Sequence, residues 1–185
     1  MTVWAIVVVV VCALNPPRRR LTLDVGSLAS VARGAVAAFA VYVLGAATAA
    51  GLRGALDVSA PNVRVAAGLV LIAVGLHAVV SRIAPTPRDA PVSDVDERTA
   101  WLVPVGFPVL LRPDIALVAL ASEPTDVVPV GAALAIALSG VVVWWHTRGG
   151  HTAPVTRTER AISSALGALL VLGAVRIVLD GIFAL

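Results

Sequence analysis

Long apolar runs alternate with short polar segments along almost the whole chain. A helix needs about 20 predominantly apolar residues to cross a bilayer, and six runs of that order are bounded by charge, proline or glycine. They are Thr2 to Leu14, Gly34 to Leu52, Val63 to Val80, Trp101 to Ser122, Val127 to Trp145 and Ala161 to Leu185. The pattern predicts an all-α membrane protein with six transmembrane helices.

Composition agrees with lipid as the main solvent. The 185 residues are 59% hydrophobic and 14% charged, with a mean hydropathy of +0.96, which is more apolar surface than a soluble core of this length could bury. The polar stretches are too short for a second domain, so residues 1–185 are expected to form a single transmembrane domain. Cys12 is the one cysteine, which excludes a disulfide framework or a multi-cysteine metal site within the chain. No metal or cofactor is predicted.

The basic residues are all arginines, and their distribution predicts the orientation. Only Arg53 and Arg64 lie between helices two and three, whereas ten arginines follow helices one, three and five. Those ten are Arg18, Arg19, Arg20, Arg33, Arg82, Arg88, Arg98, Arg148, Arg157 and Arg160. By the positive-inside rule the ten face the cytoplasm, so both termini lie outside it, in a bacterial inner (plasma) membrane. Because these residues punctuate apolar runs and do not cluster on a solvated face, nucleic acid is not an expected partner.

The longest polar connection, residues 81–100, divides the chain into halves at 1–80 and 101–185. It contains three prolines and the acidic residues Asp94, Asp96 and Glu97. This composition is typical of a linker, and the arginine distribution places it in the cytoplasm. The acidic residues are interpreted as a solvated charge run rather than a docking site.

The two halves match each other at two nearly equal offsets along the sequence, one for helices one and four and one for helices three and six. The equivalent pairs are Trp4 and Trp101, Leu14 and Leu111, Pro16 and Pro113, Gly68 and Gly167, and His77 and Arg176. With three spans in each half, the second half must cross the membrane in the opposite sense. The register therefore predicts two inverted three-helix repeats, an architecture typical of secondary transporters.

Helices one and four are predicted to be short or broken at proline, at matching places. The first break is Asn15-Pro16-Pro17 and the second is Arg112-Pro113-Asp114. Proline lacks an amide hydrogen and is favoured at the first position of a new helix, whose free amides suit an anionic group. We therefore predict a substrate site at Asn15, Pro16, Arg112, Pro113 and Asp114. The alternatives are that proline only kinks the helices, and that Arg112 and Asp114 form an internal ion pair.

Three further ionisable residues fall within the apolar runs. Arg176 and Asp180 are four apart on the last helix and share a face, and His77 lies late in helix three. They are candidates for ion coupling or for a structural ion pair. The alternatives are that Arg176 and Asp180 extend to the outer interface and that His77 is an interfacial histidine.

Several motifs resemble those of the MarC family of membrane proteins. The segment LVPVGFPVLLRPDIALVAL from Leu102 is similar to that family's Pro-x-x-x-Pro-x-x-x-Gly-Pro-Gly signature, with Pro104, Pro108 and Pro113 in place. VRVAAGLVLIAVGLHAVV, RIVLDGI and Asn15-Pro16 resemble its third helix, closing helix and first-helix Asp-Pro motif. The resemblance implies a six-helix inner-membrane protein related to the LysE group of exporters. Arg112 and Asp114 replace the signature's glycines, so the site has either been retuned for a charged ligand or lost.

Two functions follow as hypotheses. The first is a secondary exporter of a small solute, for which an anionic group would suit Arg112, driven by an ion or voltage gradient because no nucleotide-binding motif is present. The second is a non-transporting accessory or structural subunit packed against a larger membrane protein complex. A homo-oligomer is compatible with either. An enzyme is not expected, since Ser163 and Ser164 have no neighbouring base in the sequence.

Overall fold

The computed structural model describes residues 3–18, 27–80, 110–147 and 156–184, and within these ranges it contains no β-strand. A 3-10 turn at Pro124–Asp126 leads directly into the fifth of six α-helices. The helices are α1 Val3–Leu14, α2 Leu28–Ala55, α3 Ala60–Val80, α4 Pro113–Leu120, α5 Val127–Thr147 and α6 Arg157–Ile182. The predicted linker at 81–100 and the signature prolines Pro104 and Pro108 lie outside the described residues.

Four helices are long and apolar enough to cross a membrane, as expected of an integral membrane protein. They are α2, α3, α5 with its preceding turn, and α6, with 28, 21, 24 and 26 residues. At about 1.5 Å per residue each reaches the roughly 30 Å of the hydrocarbon layer. Six spans were predicted from the sequence, and four of the described helices are long enough to be spans. The 12 residues of α1 and the 8 of α4 are too few, and the fourth apolar run is described only from Leu110 onward.

Local capping residues set where two of the long helices begin. The hydroxyl of Ser27 accepts a hydrogen bond from the amide of Ser30 at the start of α2. Thr156 and Glu159 form a reciprocal capping box at the start of α6, with distances of 3.1 and 2.9 Å. Such caps satisfy amides that have no partner within the helix.

Helices α3 and α6 form the most intimate pair and run antiparallel. Gly68 packs on Ala174, and Gly75 packs on Gly167, so rising numbers in α3 meet falling numbers in α6. A Cβ atom at Gly75 would lie 2.8 Å from the carbonyl oxygen of Gly167. Only glycine allows the two backbones to approach this closely.

The other helices cross between the two halves of the chain. Helix α1 packs against α5 and α6, α4 packs against α2 and α3, and α2 packs against α5. Large apolar side chains fill the interior and also cover the outside, where Trp4 is 80% and Phe183 is 85% exposed. Apolar residues on both surfaces are typical of a protein that lipid surrounds.

Candidate functional site at two helix breaks

The second break starts α4 in the middle of an apolar run. Arg112 is extended, with φ −111° and ψ 139°, and Pro113 occupies the first helical position. Proline fits there because its missing amide hydrogen would have no acceptor within the helix. Asp114 follows in the first turn, where a carboxylate is favourable beside the positive end of the helix dipole.

Arg112 and Asp114 form a bidentate ion pair across this break. The Nε and Nη2 atoms of Arg112 lie 2.7 and 2.6 Å from the two carboxylate oxygens of Asp114. The side chains are 12% and 2% exposed. Two charges buried this deeply need each other, because either alone would have neither water nor a counter-ion. The structure thus forms the internal ion pair that the sequence offered as one alternative.

Tyr42 on α2 satisfies the backbone where α4 begins. Its buried hydroxyl donates to the carbonyl oxygen of Leu110 at 2.7 Å and accepts from the amide of Arg112. Tyr42 lies 14 residues after the first residue of α2 and 13 before its last, about 20 Å from either end. The second break therefore lies beside the middle of α2. The sequence analysis missed Tyr42, although a lone tyrosine within an apolar run signals a hydroxyl in need of a partner.

The first break ends α1 at Asn15. This residue has a φ of 44°, in the left-handed region that asparagine tolerates better than most residues. A helical turn follows at 16–18 and is closed by a 2.9 Å hydrogen bond from the amide of Arg18 to the carbonyl of Asn15. Pro16 and Pro17 supply no amide hydrogen, so the ladder of α1 stops here.

The side chain of Asn15 reaches α6. Its Nδ2 donates to the carbonyl oxygen of Ser163 at 3.1 Å. Asn15 and Ser163 are 3% and 1% exposed, and among the described residues the Asn15 Oδ1 and the Ser163 Oγ have no hydrogen-bond partner. Ser163 is six residues into α6, about 9 Å from its start. From the sequence, Ser163 was interpreted only as a possible nucleophile, and its position beside the break was not predicted.

The structure brings the two breaks into one region. The guanidinium of Arg112 is near enough to repel that of Arg18, which follows the first break. Helix α1 also contacts α4 directly. Sequence analysis treated Arg18 only as a topology signal. Of the five predicted substrate residues, Asn15 and Pro16 therefore lie at one side of this region, and Arg112, Pro113 and Asp114 lie at the other.

The three remaining candidates do not form one group. Arg176 Nε lies 3.1 Å from Asp180 Oδ1, with the arginine side chain 61% exposed. His77 is exposed in the last turn of α3. Because Gly75 meets Gly167 whereas Val65 meets Gly181, His77 and the Arg176 and Asp180 pair lie toward opposite ends of the α3 and α6 pair.

A second ionic cluster closes the far end of α4. Arg53 donates to the carbonyl oxygens of Leu120 and Ser122, which lack partners in the last turn. Glu123 bridges Arg53 and Arg64, with 2.9 Å between its Oε1 and the Arg64 Nη2. The two arginines that predicted topology therefore also tie the α2 and α3 connection to the α4 and α5 connection.

No family model, curated protein or solved structure matches the chain. The resemblance to the MarC family therefore stays an expectation. In the part of the chain that the structure describes, no three His, Cys, Asp or Glu side chains are grouped so as to hold a metal ion.

A groove of about 460 Å³ lies between α2 and α5, and none of the predicted site residues lines it. Its lining is apolar apart from Ser139, and it includes Phe39 and Leu138. A surface without charge or convergent polar groups selects no particular solute. The groove is therefore a weaker candidate for a solute site than the two breaks.

Proposed function

We propose that this chain is a secondary transporter, in the manner of the MarC and LysE-type exporters it resembles. It moves a small solute by alternating access of two inverted three-helix halves. The supporting observation is the buried pair of Arg112 and Asp114 at the start of a half-length helix, beside the middle of α2. Ionisable groups in hydrocarbon are costly, and in transporters they mark the solute or ion pathway where helices are discontinuous.

The helix contacts support the inverted repeat. Helix one can be exchanged with four, two with five, and three with six. Each extensive contact between two helices then becomes a contact between another pair of helices that also pack together. The packing of α1 on α5 becomes that of α4 on α2, and α1 on α6 becomes α4 on α3. The α2 and α5 pair and the α3 and α6 pair map onto themselves. Two similar halves related by a pseudo-two-fold axis would give this pattern.

Residue contacts support the same relation. A shift of 99 residues carries Gly68 to Gly167 and Gly75 to Ala174. The contact of Gly75 with Gly167 then becomes that of Ala174 with Gly68, which is also made. The contact of Gly167 with Val79 becomes that of Gly68 with Val178, and this too is made.

The proposal includes the membrane topology that the distribution of arginines predicts. Both termini face outward from a bacterial inner membrane, and the connection holding Arg53 and Arg64 is on the outer side. Reporter fusions at residue 57 and at residue 90 test this arrangement. An outside signal at residue 57 with a cytoplasmic signal at residue 90 supports it, and the reverse refutes the orientation.

Transport is tested with purified protein in vesicles under an imposed ion gradient and membrane potential. We expect efflux of at least one class among amino acids, organic anions and organic cations. The double variant Arg112→Met/Asp114→Leu should lower that flux at least tenfold, because it removes the charges without leaving either unpaired. The matched control, Arg176→Gln/Asp180→Asn, alters a partly exposed pair near the end of α6 and should keep the flux. Equal flux in both variants would refute a central role for Arg112 and Asp114.

A second candidate function is that of an accessory subunit in a larger membrane complex. It is favoured by the fact that Arg112 and Asp114 satisfy each other, as a purely structural pair would. Purification in a mild detergent from the native membrane separates the two proposals. A partner retained in fixed stoichiometry, together with no flux in vesicles, supports the accessory function, whereas flux by the isolated chain supports transport.

A further inference from the structure

The first helix break holds two buried oxygens that nothing in the described structure satisfies. The Asn15 Oδ1 and the Ser163 Oγ lack a hydrogen-bond partner, and both residues are at least 97% buried. The hydrogen bond from Asn15 Nδ2 to the Ser163 carbonyl holds the two residues together. Unsatisfied buried polar groups are costly, and these two belong to residues that are hydrogen-bonded to each other.

Backbone oxygens at the end of α1 add to this pair. Within a continuous helix, the carbonyls of Cys12 and Ala13 would accept from residues 16 and 17, but both are prolines. No loop or capping amide in the described residues donates to these two carbonyls. They lie at the C-terminal end of the helix, where the dipole is negative. With the Asn15 Oδ1 and the Ser163 Oγ they make four neutral oxygens on two helices that the hydrogen bond of Asn15 joins.

The polarity of these groups selects a cation over an anion. The amide of Asn15 cannot be turned around, because its oxygen would then face the Ser163 carbonyl, so Oδ1 is an acceptor only. Carbonyls also only accept, and a serine hydroxyl can accept. Sets of neutral oxygens suit hard cations, and discontinuous helices in transporters use such carbonyls and helix C-termini to bind Na⁺.

The charges near the break do not favour a divalent ion. Glu159 lies one turn before Ser163 on α6 and is 2% exposed. Arg18 follows the break on the other side, and Arg112 near it is paired with Asp114. These two carboxylates and two guanidiniums leave no net charge, whereas a divalent ion prefers several carboxylate ligands.

We infer that the first helix break binds a monovalent cation of the size of Na⁺ through Asn15 Oδ1, Ser163 Oγ and the carbonyl oxygens of Cys12 and Ala13. Under the proposed transport function, on which this last step rests, the bound cation is the coupling ion. Its binding is a property of the free protein and is measurable without any solute.

The test is thermal unfolding of the full chain in detergent, with NaCl, KCl or choline chloride at equal ionic strength. We expect Na⁺ to raise the unfolding midpoint saturably by about 2–6 °C relative to choline. Ser163→Ala and Asn15→Gly, which keeps the left-handed backbone accessible, should abolish the shift. Ser164→Ala is the matched control on the same helix and should retain it.

Two results would overturn the inference. Equal midpoints for the wild-type chain in Na⁺ and choline would mean that the break holds water only. A Na⁺ shift that survives in both Ser163→Ala and Asn15→Gly would place the ion elsewhere. The transport proposal fails separately: a Na⁺ shift without flux of any solute leaves the cation site standing and refutes transport, whereas flux independent of Na⁺ with no shift refutes the cation site alone.

Discussion

Each helix break contains a proline, Pro16 in one and Pro113 in the other, but the buried polar groups around the two prolines are paired to different degrees. At the second break Tyr42 bonds to the backbone, and Arg112 and Asp114 neutralise each other. At the first, the Asn15 Oδ1 and the Ser163 Oγ have no hydrogen-bond partner among the described residues. The two breaks therefore differ in how fully their buried polar groups are paired.

The neighbouring long helices offer different groups to the two breaks. At the second break α2 supplies the hydroxyl of Tyr42. At the first break α5 places Gly140 against Pro16, with 3.7 Å between the position of its absent Cβ and the proline ring. Glycine has no side chain with which to bond the ended backbone.

The largest expected effect comes from breaking the ion pair of the second break. Asp114→Asn leaves the buried guanidinium of Arg112 without a counter-charge, and we expect a loss of about 3–5 kcal/mol in the free energy of unfolding. The control, Asp180→Asn, breaks the exposed pair with Arg176 and should cost about 1 kcal/mol or less. Denaturant unfolding in micelles measures both. Similar losses in the two variants would mean that the second break is solvated.

The next effect concerns the helix pair that holds Ser163 beside Asn15. Gly75→Ala places a methyl group 2.8 Å from the Gly167 carbonyl, and we expect a loss of about 1–3 kcal/mol. Gly54→Ala on α2 is the control, because a Cβ there has nothing within 4 Å. It should stabilise the protein by about 0.5–1 kcal/mol through helix propensity. Unfolding curves of the two variants that shift in the same direction would contradict the packing.

A smaller loss is expected from removing the hydroxyl that completes the second break. Tyr42→Phe leaves the Leu110 carbonyl and the Arg112 amide without this partner, at about 1–2 kcal/mol. Thr48→Val is the control on the same helix, since the Thr48 hydroxyl is exposed and bonds only within its own helix. Its effect should stay within about 0.5 kcal/mol. Equilibrium unfolding of both variants provides the comparison.

The smallest effect is expected at the first break. Ser163→Ala in Na⁺-free buffer removes a hydroxyl that has no partner, so the free energy of unfolding should change by about 0.5 kcal/mol or less. When Ser163→Ala and Tyr42→Phe are measured under identical conditions, their changes in the free energy of unfolding compare the two breaks directly. A loss as large as that of Tyr42→Phe would show that the Ser163 hydroxyl is bonded after all.

Apolar runs located the four long helices but not their ends. The second run was predicted as Gly34 to Leu52, whereas α2 is Leu28–Ala55. A search for apolar residues stops at Arg33 and Arg53, yet both are helical: Arg33 is exposed near the start, and Arg53 is buried against the end of α4. The fourth run was predicted to be broken at Arg112-Pro113-Asp114, and the described helix starts at Pro113.

The sequence by itself determined where the chain leaves helical geometry, because a proline lacks an amide hydrogen whatever surrounds it. It also predicted the four apolar helices that are long enough to cross a membrane. Only the tertiary structure decided which partner each broken end finds: Tyr42 and Leu110 are 68 residues apart, and Asn15 and Ser163 are 148 apart. Helices that are apolar on every face carry no periodicity to indicate which side faces inward, so these pairings depend on how the glycine-mediated contacts align the helices.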